Sequence, residues 1–103
     1  MIKELNEAEF KSKVLESKNL VLLDFNADWC GPCQMLKPVL ESVANEKTDV
    51  DFYSVNVDQN DELSRQFNVS SIPCLVVFKN GKEIKRSIGM MSKRNILELI
   101  EEK

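Results

Sequence analysis

Hydrophobic positions in this chain change period several times, and each change marks an element. Leu20 to Asn26 is an apolar run interrupted by Asp24, and it reads as a short strand buried on both faces. Before it, Asn6-Glu7-Ala8-Glu9 has the form of an N-cap with an acidic residue three positions on. A helix is predicted from there to about Ser17, with Phe10, Val14 and Leu15 as its apolar stripe. After the run, Met35, Leu36, Val39, Leu40 and Val43 recur at helical spacing, predicting a helix from Cys30 to about Lys47. Pro38 should kink it, because proline lacks the N–H and crowds the preceding turn.

The second half alternates in the same way. Phe52, Tyr53, Val55 and Val57 predict a strand, and Asp58-Gln59-Asn60-Asp61 can cap a short helix from about Glu62 to Phe67. Cys74 to Lys79 is a further apolar strand. Asn80-Gly81 is a two-residue hairpin signal, so the strand from Lys82 to Ile88 should return antiparallel. Ser92 then caps a last helix with Ile96, Leu97, Leu99 and Ile100 facing inward. Strand–helix alternation implies a parallel βαβ unit; the hairpin makes the sheet mixed, with helices over both faces.

Composition narrows the function without naming it. With 103 residues, no repeat and no linker, the chain is expected to form one domain over 1–103. The formal net charge of −3 argues against nucleic acid or an anionic membrane as partner. Three cysteines do not suit a stapled secreted framework. The N-terminal residues lack the apolar run of a signal peptide, and the longest apolar run, Cys74 to Phe78, is too short to span a bilayer. A cytoplasmic setting is the expectation. Histidine is absent, which removes Ser-His and Cys-His nucleophile activation and the commonest metal ligand.

Chemistry therefore concentrates at Trp29-Cys30-Gly31-Pro32-Cys33, where a strand gives way to a helix. Residues three apart on a helix are neighbours, about 5–6 Å between Cβ atoms, near the separation a disulfide needs. Unpaired N–H groups at a helix start favour the Cys30 thiolate, the attacking species in disulfide exchange. Pro32 is tolerated in the first turn, and Gly31 leaves the approach to sulfur open. The competing reading is half of a four-cysteine metal site. It needs a second pair, and the chain offers Cys74 and no histidine.

Trp-Cys-Gly-Pro-Cys resembles the active-site motif of the thioredoxin family. Asp24-Phe25, Pro38, Val57-Asp58, Ile72-Pro73, Phe78-Lys79-Asn80-Gly81 and Gly89 resemble that family's landmarks in the same order, over essentially the whole chain. The resemblance implies an α/β fold: a thioredoxin-like three-layer α/β/α sandwich, its central mixed five-stranded sheet flanked by four helices. It implies a general protein-disulfide reductase and electron carrier. Cys30 would attack a client disulfide, the more buried Cys33 would resolve the mixed disulfide, and a separate thioredoxin reductase would restore the dithiol. Disulfide-containing client proteins and that reductase are the expected partners of a monomer. No cofactor and no metal is expected, and the chain has no Gly-rich nucleotide fingerprint. Two alternatives use the same fold: a thiol oxidant or disulfide isomerase, and a non-catalytic binding subunit.

Asp24 interrupts an apolar strand, where an ionised carboxylate is expensive and its pKa should rise. It is either a satisfied core carboxylate, a residue at a strand edge, or, as the resemblance implies, the proton acceptor for Cys33. The resemblance also implies a cis bond before Pro73, with the Ile72 backbone pairing an extended client segment. Trp29 is a core aromatic or part of an apolar docking rim with Gly31, Pro32, Ile72, Gly89 and Met90. Three positions depart from the family pattern. Asn26 stands where tryptophan is usual, removing bulk near the site. Ser54 stands where lysine is usual, removing a cation near Asp24. Cys74 replaces a threonine and is either a small buried strand residue or a regulatory thiol beside the site.

Overall fold

The computed structural model describes residues 2–101. Its centre is β2 (Leu20–Asn26), all seven residues of which are buried. Such a strand must have a partner on each edge and a helical layer on each face. On one edge lies β3 (Val50–Asn56), parallel to it, and beyond that the two-residue β1 (Lys3–Glu4). On the other edge lies β4 (Cys74–Lys79), antiparallel, followed by β5 (Lys82–Ile88). The sheet order is β1-β3-β2-β4-β5.

Alternation along β2 divides the core in two. Val21, Leu23 and Phe25 pack with Phe10, Val14, Leu63, Val76 and Phe78. These meet α1 (Glu7–Phe10), which runs on into a π-helical turn (Lys11–Leu15), and α3 (Asp61–Gln66). Phe10, Phe67 and Phe78 form a tilted and edge-to-face triad there, with ring centroids 5.3 to 5.8 Å apart. Leu20 and Leu22 point the other way, toward Leu36, Leu40 and Val43 of α2 (Gly31–Glu46) and Ile96 and Ile100 at α4 (Lys93–Leu99). The result is the three-layer α/β/α arrangement with five strands and four helices. Each fully buried side chain of this size contributes about 1.5–3 kcal/mol relative to exposure.

Local signals are realised at both ends of the chain. Asn6 Oδ1 accepts from Glu9 N–H and Glu9 Oε1 accepts from Asn6 N–H, each at 3.1 Å, a complete capping box. Ser92 Oγ accepts from Asn95 N–H at 3.1 Å and starts α4. Asn80 and Gly81 both have positive φ, 52° and 78°, which is the two-residue hairpin geometry. A Cβ at residue 81 would stand 2.7 Å from the Leu15 carbonyl oxygen, so backbone and space both require glycine.

Several expectations are corrected. β1 was absent from the hydrophobic pattern: it is two exposed residues held by pairing with Tyr53 and Ser54. The first helix widens into a π turn, and Leu15 lies exposed rather than in the stripe. Met35 is likewise exposed, because it is offset from the Leu36–Leu40–Val43 face. Pro38 does lie inside helix α2, where the pattern placed it. The polar cluster before α3 does not supply that helix's side-chain cap. Instead Glu7 Oε1 accepts from Leu63 N–H at 2.9 Å, while Asn60 Oδ1 accepts from Glu7 N–H at 3.1 Å. Two helix starts distant in sequence thus cap each other.

Candidate active site

β2 ends at Asn26, and the chain crosses Ala27-Asp28-Trp29 before α2 begins. Cys30 is the N-cap of α2, with extended backbone (φ −86°, ψ 108°). Its Sγ accepts the backbone N–H of Cys33 at 3.2 Å, one of the donors that a helix start leaves without an intrahelical partner. An N–H aimed at sulfur, together with the positive end of a 16-residue helix, favours a thiolate at Cys30 in the reduced protein.

Cys30 and Cys33 are joined as a disulfide with Cα atoms 5.2 Å apart. Cys30 retains 5% exposure and Cys33 none. Of the two residues, only the first keeps any surface open to the outside. Ala27, Val57 and Ile72 pack around the pair, and the Ile72 carbonyl oxygen lies 3.9 Å from Cys30 Sγ. The Ile72–Pro73 peptide bond is cis. The Pro73 carbonyl is held by Gly89 N–H at 2.8 Å, and Gly89 has a φ of +94°. That bond ties the segment before β4 to the loop after β5.

Around the pair, Trp29, Gly31, Pro32 and Met90 are exposed, Ile72 and Gly89 are half-buried, and Pro73 is buried. A Cβ at Gly31 would meet no atom, so the space beside the disulfide is open. Trp29 is 71% exposed and is no core aromatic. Its ring is oriented by Nε1–H donating to Asp58 Oδ2 at 2.8 Å. Asp58 stood among the family landmarks with Val57, two residues past the end of β3, but its bond to the tryptophan ring could not be read from the sequence. Met35, 67% exposed one turn into α2, and Ile88 add apolar surface near this end of the molecule.

Beneath α2, Asp24 is 2% exposed. Burial pushes its carboxyl up from 3.8 to about 6, opposed by a hydrogen bond from Asn26 and by the charge of Lys37. Oδ1 of Asp24 accepts no hydrogen bond from any described residue. Asp24 opens on a cavity of about 210 Å³ that Lys37 and Glu41 also line. Those two follow Cys33 by one and two turns, so Cys33, Lys37 and Glu41 share the stripe of α2 on the Asp24 side.

The departures from the family pattern acquire definite surroundings. Asn26 is buried, and rather than leaving a gap it fills its place with hydrogen bonds to Asp24 and Ser54. The cation missing at position 54 is partly replaced by Lys37 on the facing helix, which spacing on α2 could have suggested. Cys74 is buried on β4 beside Phe25, and burial raises its thiol pKa, which disfavours a reactive thiolate.

Residues 1–102 match the sequence model of the thioredoxin family. The thioredoxin of Chlamydia trachomatis is 42% identical over 100 residues, covering 97% of this chain and 96% of the relative. That of Mycobacterium bovis is 46% identical over 94 residues, covering 90% and 81%. That of Mycoplasma genitalium is 38% identical over 99 residues, covering 96% and 97%. The chain belongs to the thioredoxin family. Its function is dithiol–disulfide redox exchange, and its redox partners are of the kinds that family implies, a reductase and disulfide-bearing clients.

Proposed function

We propose that the chain, working as one domain over 1–103, is a monomeric cytoplasmic protein-disulfide reductase and electron carrier in which Cys30 attacks, Cys33 resolves and Asp24 takes the proton. The carrying observation is the asymmetry of the pair: Cys30, whose sulfur receives a helix N–H, retains 5% exposure, and Cys33 retains none. The Cys30 thiolate attacks one sulfur of a client disulfide. A Cys30–client bond forms, the client S–S bond breaks, and one client thiolate leaves. Cys33 then gives its proton to Asp24 and attacks Cys30 Sγ. The Cys30–Cys33 bond forms and the second client thiolate leaves. The client gains two electrons and the dithiol loses two, which a thioredoxin reductase returns.

The surroundings serve binding and timing. Trp29, Gly31, Pro32 and Met90 supply an open, largely apolar landing area, with Ile72, Pro73 and Gly89 at its edge. The Ile72 backbone, its carbonyl oxygen 3.9 Å from Cys30 Sγ, suits an extended client segment. A carboxyl that titrates near neutrality is matched to accepting a thiol proton at the pH of the cell. Cys74 supplies packing under this reading and no thiol chemistry.

The test is a trap. Cys33→Ser leaves the attack intact and removes the resolver, so a disulfide-bearing client protein should accumulate in a covalent complex through Cys30. The complex should be absent in Cys30→Ser. Failure of Cys33→Ser to hold any client covalently would overturn the assignment.

A further inference from the structure

Four polar side chains are buried among the described residues: Asp24, Asn26, Asn60 and Ser64. Asn60 and Ser64 are accounted for by the helix starts around α3, where Asn60 caps α1 and Ser64 Oγ donates to the Asn60 carbonyl at 3.0 Å. Asp24 and Asn26 are different. They lie two residues apart on the α2 face of the central strand, directly below the helix that carries the dithiol.

The Asn26 amide has three oxygens around it. Nδ2 donates to the Asp24 carbonyl at 2.9 Å and to Ser54 Oγ at 2.7 Å, and it makes a longer contact to Asp24 Oδ2, nitrogen to oxygen 3.4 Å. A carbonyl and a carboxylate oxygen can only accept, so the amide nitrogen must face them. With two hydrogens and anchors on both β2 and β3, the amide cannot turn without breaking its shortest bonds. Ser54 is the register partner of Asp24 on β3, which is why one amide can touch both. The effect falls on the carboxylate: Oδ2 is held from the Asn26 side, and Oδ1 is left as the oxygen with no partner.

We propose that Asn26, anchored on Ser54, is a positioning residue for the exchange reaction, fixing the Asp24 carboxylate so that Oδ1 is the atom that receives the Cys33 proton. The inference rests on the reading of Asp24 as proton acceptor. A carboxylate free to rotate would offer either oxygen in many orientations, and misplacement of a reacting group is costly in rate. Held by Asn26, it presents one atom. The other titratable or charged groups around it are Lys37 and Glu41 on α2, Glu4 on β1 and Cys74 on β4, and none of these hydrogen bonds to Oδ1. The pair Asn26–Ser54 is neutral and does by hydrogen bonding what a charge at either position would do by attraction.

The experiment follows decay of a preformed Cys30–client mixed disulfide as a function of pH, with Asp24 titrated by NMR in the same variants. Asn26→Leu keeps the side-chain size and removes the donor. The Asp24 midpoint should move upward, because the bond that Asn26 supplies favours the charged form. The midpoint of the decay rate should move with it, and the plateau rate should fall by about tenfold. Ser54→Ala should do the same to a smaller degree, and it stands in should Asn26→Leu not fold. Asp24→Asn/Asn26→Leu should be no slower than Asp24→Asn alone, since Asn26 acts through Asp24. An unmoved midpoint in folded Asn26→Leu or Ser54→Ala, or an additive loss in the double variant, would overturn the positioning role. Decay of Asp24→Asn at the wild-type rate would instead overturn the Asp24 assignment, so the two failures are distinguishable.

Discussion

The two faces of β2 are built from alternate residues of one strand, yet they do different work. Val21, Leu23 and Phe25 meet an apolar cluster that includes the Phe10–Phe67–Phe78 triad. Leu20 and Leu22 begin the opposite face in the same way, but Asp24 and Asn26 finish it with a buried carboxylate and an amide. The apolar face can be optimised for packing alone. The other sacrifices stability at the end nearest the cysteines, where burial holds a carboxyl near neutrality. Alternation lets one strand carry both without compromise, because neighbours point apart.

The sharpest way to separate the faces is to damage the dry one. Phe78→Ala removes a buried ring from the triad and should cost about 3–5 kcal/mol of stability. Denaturant unfolding should register the loss, while the mixed-disulfide decay rate of the remaining folded protein stays at the wild-type value. A changed decay rate in folded Phe78→Ala would break the division.

Damage to the polar face should act with the opposite sign. The Asp24 carboxyl titrates near 6 when folded and near 3.8 when unfolded, so the folded state holds that proton more tightly. Its contribution is therefore favourable below about pH 4 and is lost as pH rises through 6, a difference of about 3 kcal/mol. Asp24→Asn should gain about that much relative to wild type at alkaline pH and almost nothing below pH 4. Urea midpoints across that range decide it; a variant no more stable than wild type at alkaline pH would show that the carboxylate is not strained by burial. The smallest expected effect lies at the crossed caps, away from both faces. Glu7→Ala should cost about 1 kcal/mol, with Asn60→Ala coupled to it, since each side chain caps the helix start that the other belongs to.

Legibility in the sequence followed the same division. Most of what depends on local periodicity or turn chemistry could be read: β2, the core stripe of α2 apart from Met35, the Asn80-Gly81 hairpin, the caps at Asn6 and Ser92, and the cysteine pair at a helix start. The elements that depend on distant partners could not. β1 has two exposed residues and exists through Tyr53 and Ser54. The cap on α3 comes from Glu7, 56 residues away. At the site, Asp24 stood out because a carboxylate interrupts an apolar run. Asn26 registered as a lost tryptophan, not as an amide in a network, because its partners sit on a neighbouring strand and hydrogen-bond geometry has no sequence period. The bond from Trp29 to Asp58 was hidden for the same reason, although Asp58 itself stood among the family landmarks.

The resolving step offers the most direct test of the whole scheme. Decay of a Cys30–client mixed disulfide should accelerate with pH in the wild type, with a midpoint near the Asp24 value of about 6. Asp24→Asn should lose that midpoint and decay about a hundredfold more slowly near neutrality, the usual scale of general-base assistance. The same profile and rate in wild type and Asp24→Asn would contradict the central claim.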